Sequence, residues 1–237
     1  HQDHMIALGQ ELNKKVMSWL DQDVLDSLIL VGEGQEAYLP QKMRDKALFI
    51  PTTYADQVVQ YLRERVFDPK DIRLVTVSRL SEEKNVLLLL KIMALLKFKG
   101  YEQFRLDIYG DGPDMPMLQD VVQLNDLEDM VHFKGYQSQV AFQAYDVYIS
   151  TSLSEAFATS LYEALVNGLP LIGLDVRYAN RAYIKHGENG WLIPQNDANQ
   201  YIAHLEQFSQ FGEKEWGGFS ARSKELAHRY NKELLIN

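Results

Sequence analysis

The sequence predicts an α/β protein built on a doubly wound, mostly parallel sheet. Three observations carry that expectation. From residue 72 onward, strand signals alternate with helix signals. The segments between strands have the ~10–15-residue length of crossover helices. Several strands are near-continuous apolar runs, the pattern of strands covered on both faces.

The elements follow in order. Residues 5–20 carry Met5, Ile6, Leu8, Leu12, Val16 and Leu20 near one stripe and read as a helix. Residues 28–31 form a short strand ending at Gly32-Glu33-Gly34, and residues 36–70, broken by Pro40, Pro51 and Pro69, read as a connection. Strands are expected at 73–78, 104–109, 131–133, 146–150, 170–173 and 191–193. Helices are expected at 82–97, 114–124, 138–144, 158–167, 179–185, 197–209 and 219–234.

Composition narrows the function classes. The chain has 237 residues, 46% of them hydrophobic, enough for one large domain or one and a half. Its net charge of −9 argues against a nucleic-acid partner, which needs a basic footprint. The absence of cysteine excludes disulfides, zinc–cysteine sites and thiol nucleophiles. No apolar run reaches the ~18–20 residues of a membrane span, and no signal peptide is legible. A cytoplasmic setting fits these features, with room for peripheral association at the inner face of a membrane. The chain opens on His1 rather than methionine, the mark of a fragment or a trimmed chain.

In a doubly wound sheet, ligands bind outside the carboxyl ends of the strands, so the residues after each strand matter most. The first strand runs into Ser78-Arg79-Leu80-Ser81-Glu82-Glu83-Lys84. Ser81 has the chemistry of an N-cap, and Glu82 and Glu83 suit the first turn of a helix. Lys84 is out of place there unless an anion sits at the same helix end, facing Arg79 and Lys84. The alternative is a surface lysine paired with Glu82 or Glu83. After the second strand, Gly110-Asp111-Gly112-Pro113 is half of a dinucleotide fingerprint, with Met115 where a third glycine would stand. A tight turn with Pro113 opening a helix is the expectation, which disfavours a nicotinamide dehydrogenase. After the third strand, Gly135 permits close backbone approach and Tyr136 offers a flat face, while His132 reads as a strand residue rather than a catalyst.

Two glutamates follow the fourth strand. Glu155 falls in the loop and Glu163 in a helix that starts near Ala158 or Thr159 and stops at Gly168, with Pro170 beyond. Eight helical residues would advance ~12 Å and turn ~80°, so the pair either forms a solvated face or touches two parts of one extended ligand. A carboxylate accepts hydrogen bonds at both oxygens and so suits vicinal hydroxyls of a sugar or ribose.

In order and spacing these pieces resemble glycosyltransferase family 4 and its GT-B relatives. The resembling stretch, about residues 72–194, includes Ser78-Arg79-Leu80 with Lys84, Tyr109 to Pro113, Val131 to Gly135, Glu155 to Glu163, Glu163-Ala164-Leu165 to Gly168-Leu169-Pro170, and His186 to Ile193. The resemblance implies the Rossmann-like C-terminal half of a GT-B fold and a retaining glycosyltransferase. Such an enzyme moves a hexose or N-acetylhexosamine from a nucleotide sugar, UDP-type favoured, to a polymer, lipid-linked glycan or protein. Arg79 and Lys84 would hold the diphosphate, Glu155 the transferred sugar and Glu163 the ribose. Backbone at Ala156, Phe157 and Ala158 would meet sugar and phosphates, and Gly135 and Tyr136 the base. No metal and no further cofactor is implied. Residues 71–237 would be the nucleotide-sugar-binding domain. Residues 1–70 would be a connecting segment, the end of a missing or partial acceptor domain, so this chain alone would transfer poorly. The family pattern has Glu-Gly-Phe-Gly where this chain has Glu155-Ala156-Phe157-Ala158, and often a glycine at Ala179. An alanine forced to positive φ would cost about 1 kcal/mol or more. That departure supports an alternative: a non-catalytic GT-B-like subunit that stabilises a partner glycosyltransferase or binds glycan.

Overall fold

The computed structural model describes residues 28–30, 39, 41–45, 47–49, 65–155, 158–176, 179–195 and 197–228. It divides into two compact units, His1–Thr52 and Thr53–Asn237. In the first, β1 (Leu28–Leu30) pairs in parallel with β2 (Ala47–Phe49), Leu28 opposite Ala47, and the single-turn helix α1 (Gln41–Arg44) lies between them in sequence. The strand expected at 28–31 is therefore present. The stretch read as plain connection also contributes a strand and a helical turn. The helix expected at 5–20 lies outside the described residues.

The second unit is a six-stranded, all-parallel sheet. Its strands are β3 (Ile72–Val77), β4 (Phe104–Tyr109), β5 (Val131–Gly135), β6 (Val147–Ser150), β7 (Leu171–Leu174) and β8 (Gly190–Ile193), in the order β5-β4-β3-β6-β7-β8. The chain winds outward from β3 to β5, returns to lay β6 beside β3, and winds out the other way. The β3/β6 seam is thus the topological switch point, where neighbouring crossovers leave on opposite faces and open a crevice. Alternation along β3 sends Ile72 and Leu74 into one core and Val75 into the other. The first core packs under α2 (Val86–Phe98), α3 (Met115–Leu124) and α6 (Ala198–Phe208). The second packs under α4 (Thr159–Val166), α5 (Ala179–Tyr183) and α7 (Glu213–His228). Strands β6 and β7 are buried along their whole length, which is why they read as unbroken apolar runs.

Four expected boundaries are corrected. The helix expected at 82–97 is interrupted. Glu82–Lys84 is a 3-10 turn, Asn85 adopts a left-handed conformation (φ 50°, ψ 40°), and α2 begins only at Val86. Ser81 makes no side-chain capping bond. The hydroxyl of Thr151 donates to the carbonyls of Lys84 and Asn85, and the Leu153 N–H donates to Glu83 O at 2.9 Å. Those contacts from the loop after β6 engage carbonyls near the helix start, and asparagine tolerates the left-handed turn better than most residues. The helix expected at 138–144 shrinks to a 3-10 turn, Phe142–Ala144, which is enough to seat Phe142 and Tyr145 in the core. Pro113 precedes its helix rather than opening it; Pro116 occupies the first turn of α3. The last helix starts at Glu213, ahead of the expected 219, despite Gly217-Gly218. Buried Trp216 anchors it by donating to the Asp146 carbonyl at 2.9 Å and stacking on Phe67, and the Phe67 N–H donates to Glu213 at 2.7 Å. These tertiary contacts outweigh the glycines' low helix propensity. The part expected beyond His228 lies outside the described residues.

Candidate active site

The switch point brings the loop after β3 next to the loop after β6. Leu80 is fully buried and anchors the first loop from below. A Cβ at Gly110 would overlap the carbonyl oxygen of Ser78, and one at Gly112 would overlap that of Leu80. Leu80 N–H donates to Asp111 O at 2.9 Å, and Asp114 N–H donates to Leu80 O at 3.1 Å. The Gly-Asp-Gly turn is therefore a tight turn, as expected. Its glycines serve close backbone packing that fixes the Arg79 loop.

Lys84 ends the 3-10 turn and reaches across the seam. Its Nζ lies 2.7 Å from Oε1 of Glu155, and the two side chains are only 21% and 14% exposed. The pairing with Glu82 or Glu83 left open by the sequence is not the one formed. The Arg79 side chain, by contrast, is exposed, and its guanidinium has no hydrogen-bond or ion-pair partner among the described residues. On the Glu155 side, the backbone carbonyl accepts the Ala179 N–H at 3.1 Å, which ties the glutamate to the start of α5.

Helix α4 runs from this point, and Gly168 (φ 74°) ends it as expected. Ala158, at its N-cap position, sits at φ 53° and ψ 68°. An alanine there carries the left-handed penalty of about 1–2 kcal/mol that a glycine would not. Ala179 is buried in α5 and is not at positive φ. Ala156 and Phe157 lie outside the described residues. Glu163 is half-buried on α4, and burial raises its carboxyl above the ordinary carboxylate range.

Two residues that the sequence did not single out tie these parts together. The Tyr148 hydroxyl, inside β6, lies 2.8 Å from Ser160 Oγ and donates to Val77 O at 3.2 Å. Ser160 Oγ donates to the same carbonyl at 2.8 Å. The first turn of α4 is thereby fastened to the end of β3. Burial pushes the Tyr148 phenol well up, and the negative charges of Glu155 and Glu163 add to that. In the sequence, Tyr148 hides in an apolar strand as an ordinary core aromatic. The one available signal was Ser160, a hydroxyl in the first turn of a helix.

Gly135 and Tyr136 border the same sheet edge at the end of β5, two strands from β3, an offset of about 10 Å. Gly135 is at φ 66°, and its carbonyl accepts the Gly110 N–H at 2.9 Å. Tyr136 is 79% exposed, a free aromatic face at the rim. His132 is a β5 residue, 3.3 Å from Asp107 and removed from the seam. Among the described residues, no group of three or more His, Asp or Glu side chains is placed to hold a metal ion. None of their helices is long and apolar enough to cross a membrane.

Residues 58–215 match the model of the family described as "Glycosyl transferases group 1". The chain belongs to the group 1 glycosyl transferases. The matched region contains every residue of the seam described above. Within this group 1 family, the chain is 33% identical over 182 residues to the UDP-N-acetylglucosamine–peptide N-acetylglucosaminyltransferase GtfA subunit of Streptococcus pneumoniae serotype 4, covering 73% of this chain and 35% of that protein. It is 31% identical over 167 residues to the poly(glycerol-phosphate) alpha-glucosyltransferase of Bacillus subtilis, covering 68% of this chain and 24% of that protein. Among solved structures, the pneumococcal O-GlcNAc transferase GtfA in complex with UDP and GlcNAc superposes with a TM-score of 0.78 at 30% identity, over 93% of this chain and 45% of that one. TarM shares the fold, with a TM-score of 0.81 at 19% identity over 94% of this chain and 44% of that one. The chain thus spans less than half the length of these relatives, and its fold is the α/β, Rossmann-like half of a GT-B glycosyltransferase that the sequence led us to expect.

Proposed function

We propose that this chain is the donor-binding half of a retaining, family 4-like glycosyltransferase that uses a UDP-type nucleotide sugar. The observation that carries the reading is the Lys84–Glu155 pair closed across the β3/β6 seam, with Glu163 on the adjoining helix. In this reading Arg79 and Lys84 neutralise charge developing on the leaving diphosphate, the kind of electrostatic stabilisation that dominates many enzymes, with no metal required. Glu155 accepts hydrogen bonds from the transferred sugar and Glu163 from the ribose. Gly135 and Tyr136 meet the base, and the backbone from Ala156 to Ala158 meets sugar and phosphates. Residues 71–237 act as the donor domain, and residues 1–70 belong to the end of an acceptor-side domain.

Similarity to the streptococcal subunit supports N-acetylglucosamine as the sugar and a protein as acceptor; similarity to the Bacillus enzyme supports hexose transfer to a polymer. A solved GtfA/B complex, 27% identical over 92% of this chain, supports a partner glycosyltransferase subunit. We place the protein in the cytoplasm, at or near the inner face of the membrane. The test is thermal stabilisation of the full chain against a panel of nucleotides and nucleotide sugars. Selective stabilisation by UDP and one UDP-sugar is expected; no response to any uridine nucleotide would sink the reading.

A second reading, a non-catalytic subunit that stabilises a partner glycosyltransferase or binds glycan, draws support from the strained Ala158. Transfer of labelled sugar by the chain joined to its acceptor domain would refute it.

A further inference from the structure

Lys84 and Glu155 are held toward each other, not merely adjacent. The carbonyls of the Lys84 turn are fixed by Thr151 and Leu153, and the Glu155 carbonyl is fixed by Ala179. At 2.7 Å and mostly buried, the pair is poorly screened by solvent. The lysine assigned to the diphosphate is engaged by a carboxylate, whereas the Arg79 guanidinium has no partner among the described residues.

We propose that Glu155 is a specificity-determining residue that discriminates sugar-loaded donor from bare nucleoside diphosphate by competing for Lys84. The inference rests on the reading above, in which Lys84 meets the diphosphate and Glu155 the sugar. When the sugar is present, its hydroxyls draw the carboxylate off Lys84, and the ammonium is free for the diphosphate. When the sugar has left, the carboxylate returns to Lys84. The ammonium has three donors, so sharing is possible, but the diphosphate must then lie beside a like-charged group. Bare nucleoside diphosphate is therefore held less tightly than loss of the sugar contacts alone would make it, which favours product release. No bond is made or broken in this step; only hydrogen-bond partners exchange.

The test is titration of the full chain with UDP, uridine and UDP-N-acetylglucosamine, by calorimetry and ligand-observed NMR, for the native protein and Glu155→Gln. Glutamine keeps the size and the hydrogen-bonding of the side chain and removes its charge. UDP is expected to bind the variant about three- to tenfold tighter, the range set by release of one partly buried charge pair. UDP-N-acetylglucosamine should bind no tighter, and uridine, lacking phosphate, should be unchanged. Glu155→Ala should reproduce the gain for UDP and serves if the glutamine variant unfolds. Unchanged or weaker UDP binding in a folded variant overturns the inference and leaves the donor site standing. Failure of the native chain to bind either uridine nucleotide overturns the donor site itself, and the inference with it.

Discussion

The two basic residues of the seam should respond differently to removal. In the proposed reading Lys84→Ala deletes a donor to the diphosphate, and a charge-assisted bond of that kind contributes about 1.5–3 kcal/mol. The ammonium is engaged beforehand in a 2.7 Å pair with Glu155, which it must weaken or give up to serve the diphosphate. Surrendering such a pair costs about 1 kcal/mol, so the net loss of UDP affinity should be about 0.5–2 kcal/mol, roughly two- to thirtyfold. Arg79 has no competing partner among the described residues, but it is exposed and screened. Arg79→Ala should therefore cost UDP affinity to a similar or larger degree, with the loss shrinking as salt rises. Stability separates the two. Lys84→Ala leaves Glu155 unpaired at 14% exposure and should lower Tm by ~1–4 °C, whereas Arg79→Ala should leave it unchanged. Calorimetric titration with UDP at low and high salt, beside thermal unfolding of each variant, checks all of this. Lys84→Ala with native UDP affinity and native Tm would refute the reasoning, because neither the pair nor the phosphate contact would then carry weight.

Three further outcomes are expected. Ala158→Gly relieves a residue held at φ 53° and should stabilise the chain by about 0.5–1 kcal/mol after the loss of a half-buried methyl, seen as a Tm higher by ~1–4 °C; destabilisation would contradict the left-handed conformation. Glu163→Gln should raise Tm at neutral pH, because burial holds the Glu163 carboxyl above its unfolded value and its ionised form opposes folding. That advantage should fade as pH falls through the raised folded value and vanish below the unfolded one; an advantage independent of pH would argue against ionisation as its source. Asp146→Ala removes a fully buried carboxylate that accepts from Arg65 at 3.0 Å and from the Arg73 N–H at 2.8 Å, and chemical denaturation should show a loss of about 3 kcal/mol or more.

The sheet was most legible in the sequence where its strands are buried along their whole length, at β6 and β7. Val147 to Ser150 and Leu171 to Leu174 had no alternative to reading as apolar runs. The candidate site was legible only as pieces. Arg79, Lys84, Glu155 and Glu163 stood out by chemistry, but nothing local says that strand β6 returns to lie beside β3. The helix boundaries that failed did so where tertiary contacts overrode local preference. Thr151 reaches carbonyls 66 and 67 residues away, and Trp216 anchors across a pair of glycines by bonding to Asp146. Tyr148 was missed because an aromatic in a strand carries no sign of what its hydroxyl meets.

The largest of those failures is also the one that makes the seam work. Had residues 82–97 formed one helix, Lys84 would stand in its first turn, its ammonium opposed by the positive end of the helix and its carbonyl committed to the N–H four residues on. The left-handed Asn85 ends the 3-10 turn at Lys84, and the Lys84 carbonyl is taken instead by Thr151. The lysine therefore belongs to a short, fastened loop, and its side chain reaches the carboxylate that follows β6. The same fastening gives Thr151, four residues before Glu155, a part in placing the lysine. It fixes the lysine from the strand that delivers the glutamate, so the two charges share one frame. Thr151→Val, which keeps the shape and removes the hydroxyl, should then weaken UDP binding more than its cost to stability explains, and equal UDP affinity in a folded T151V chain would show that the loop holds its place without it.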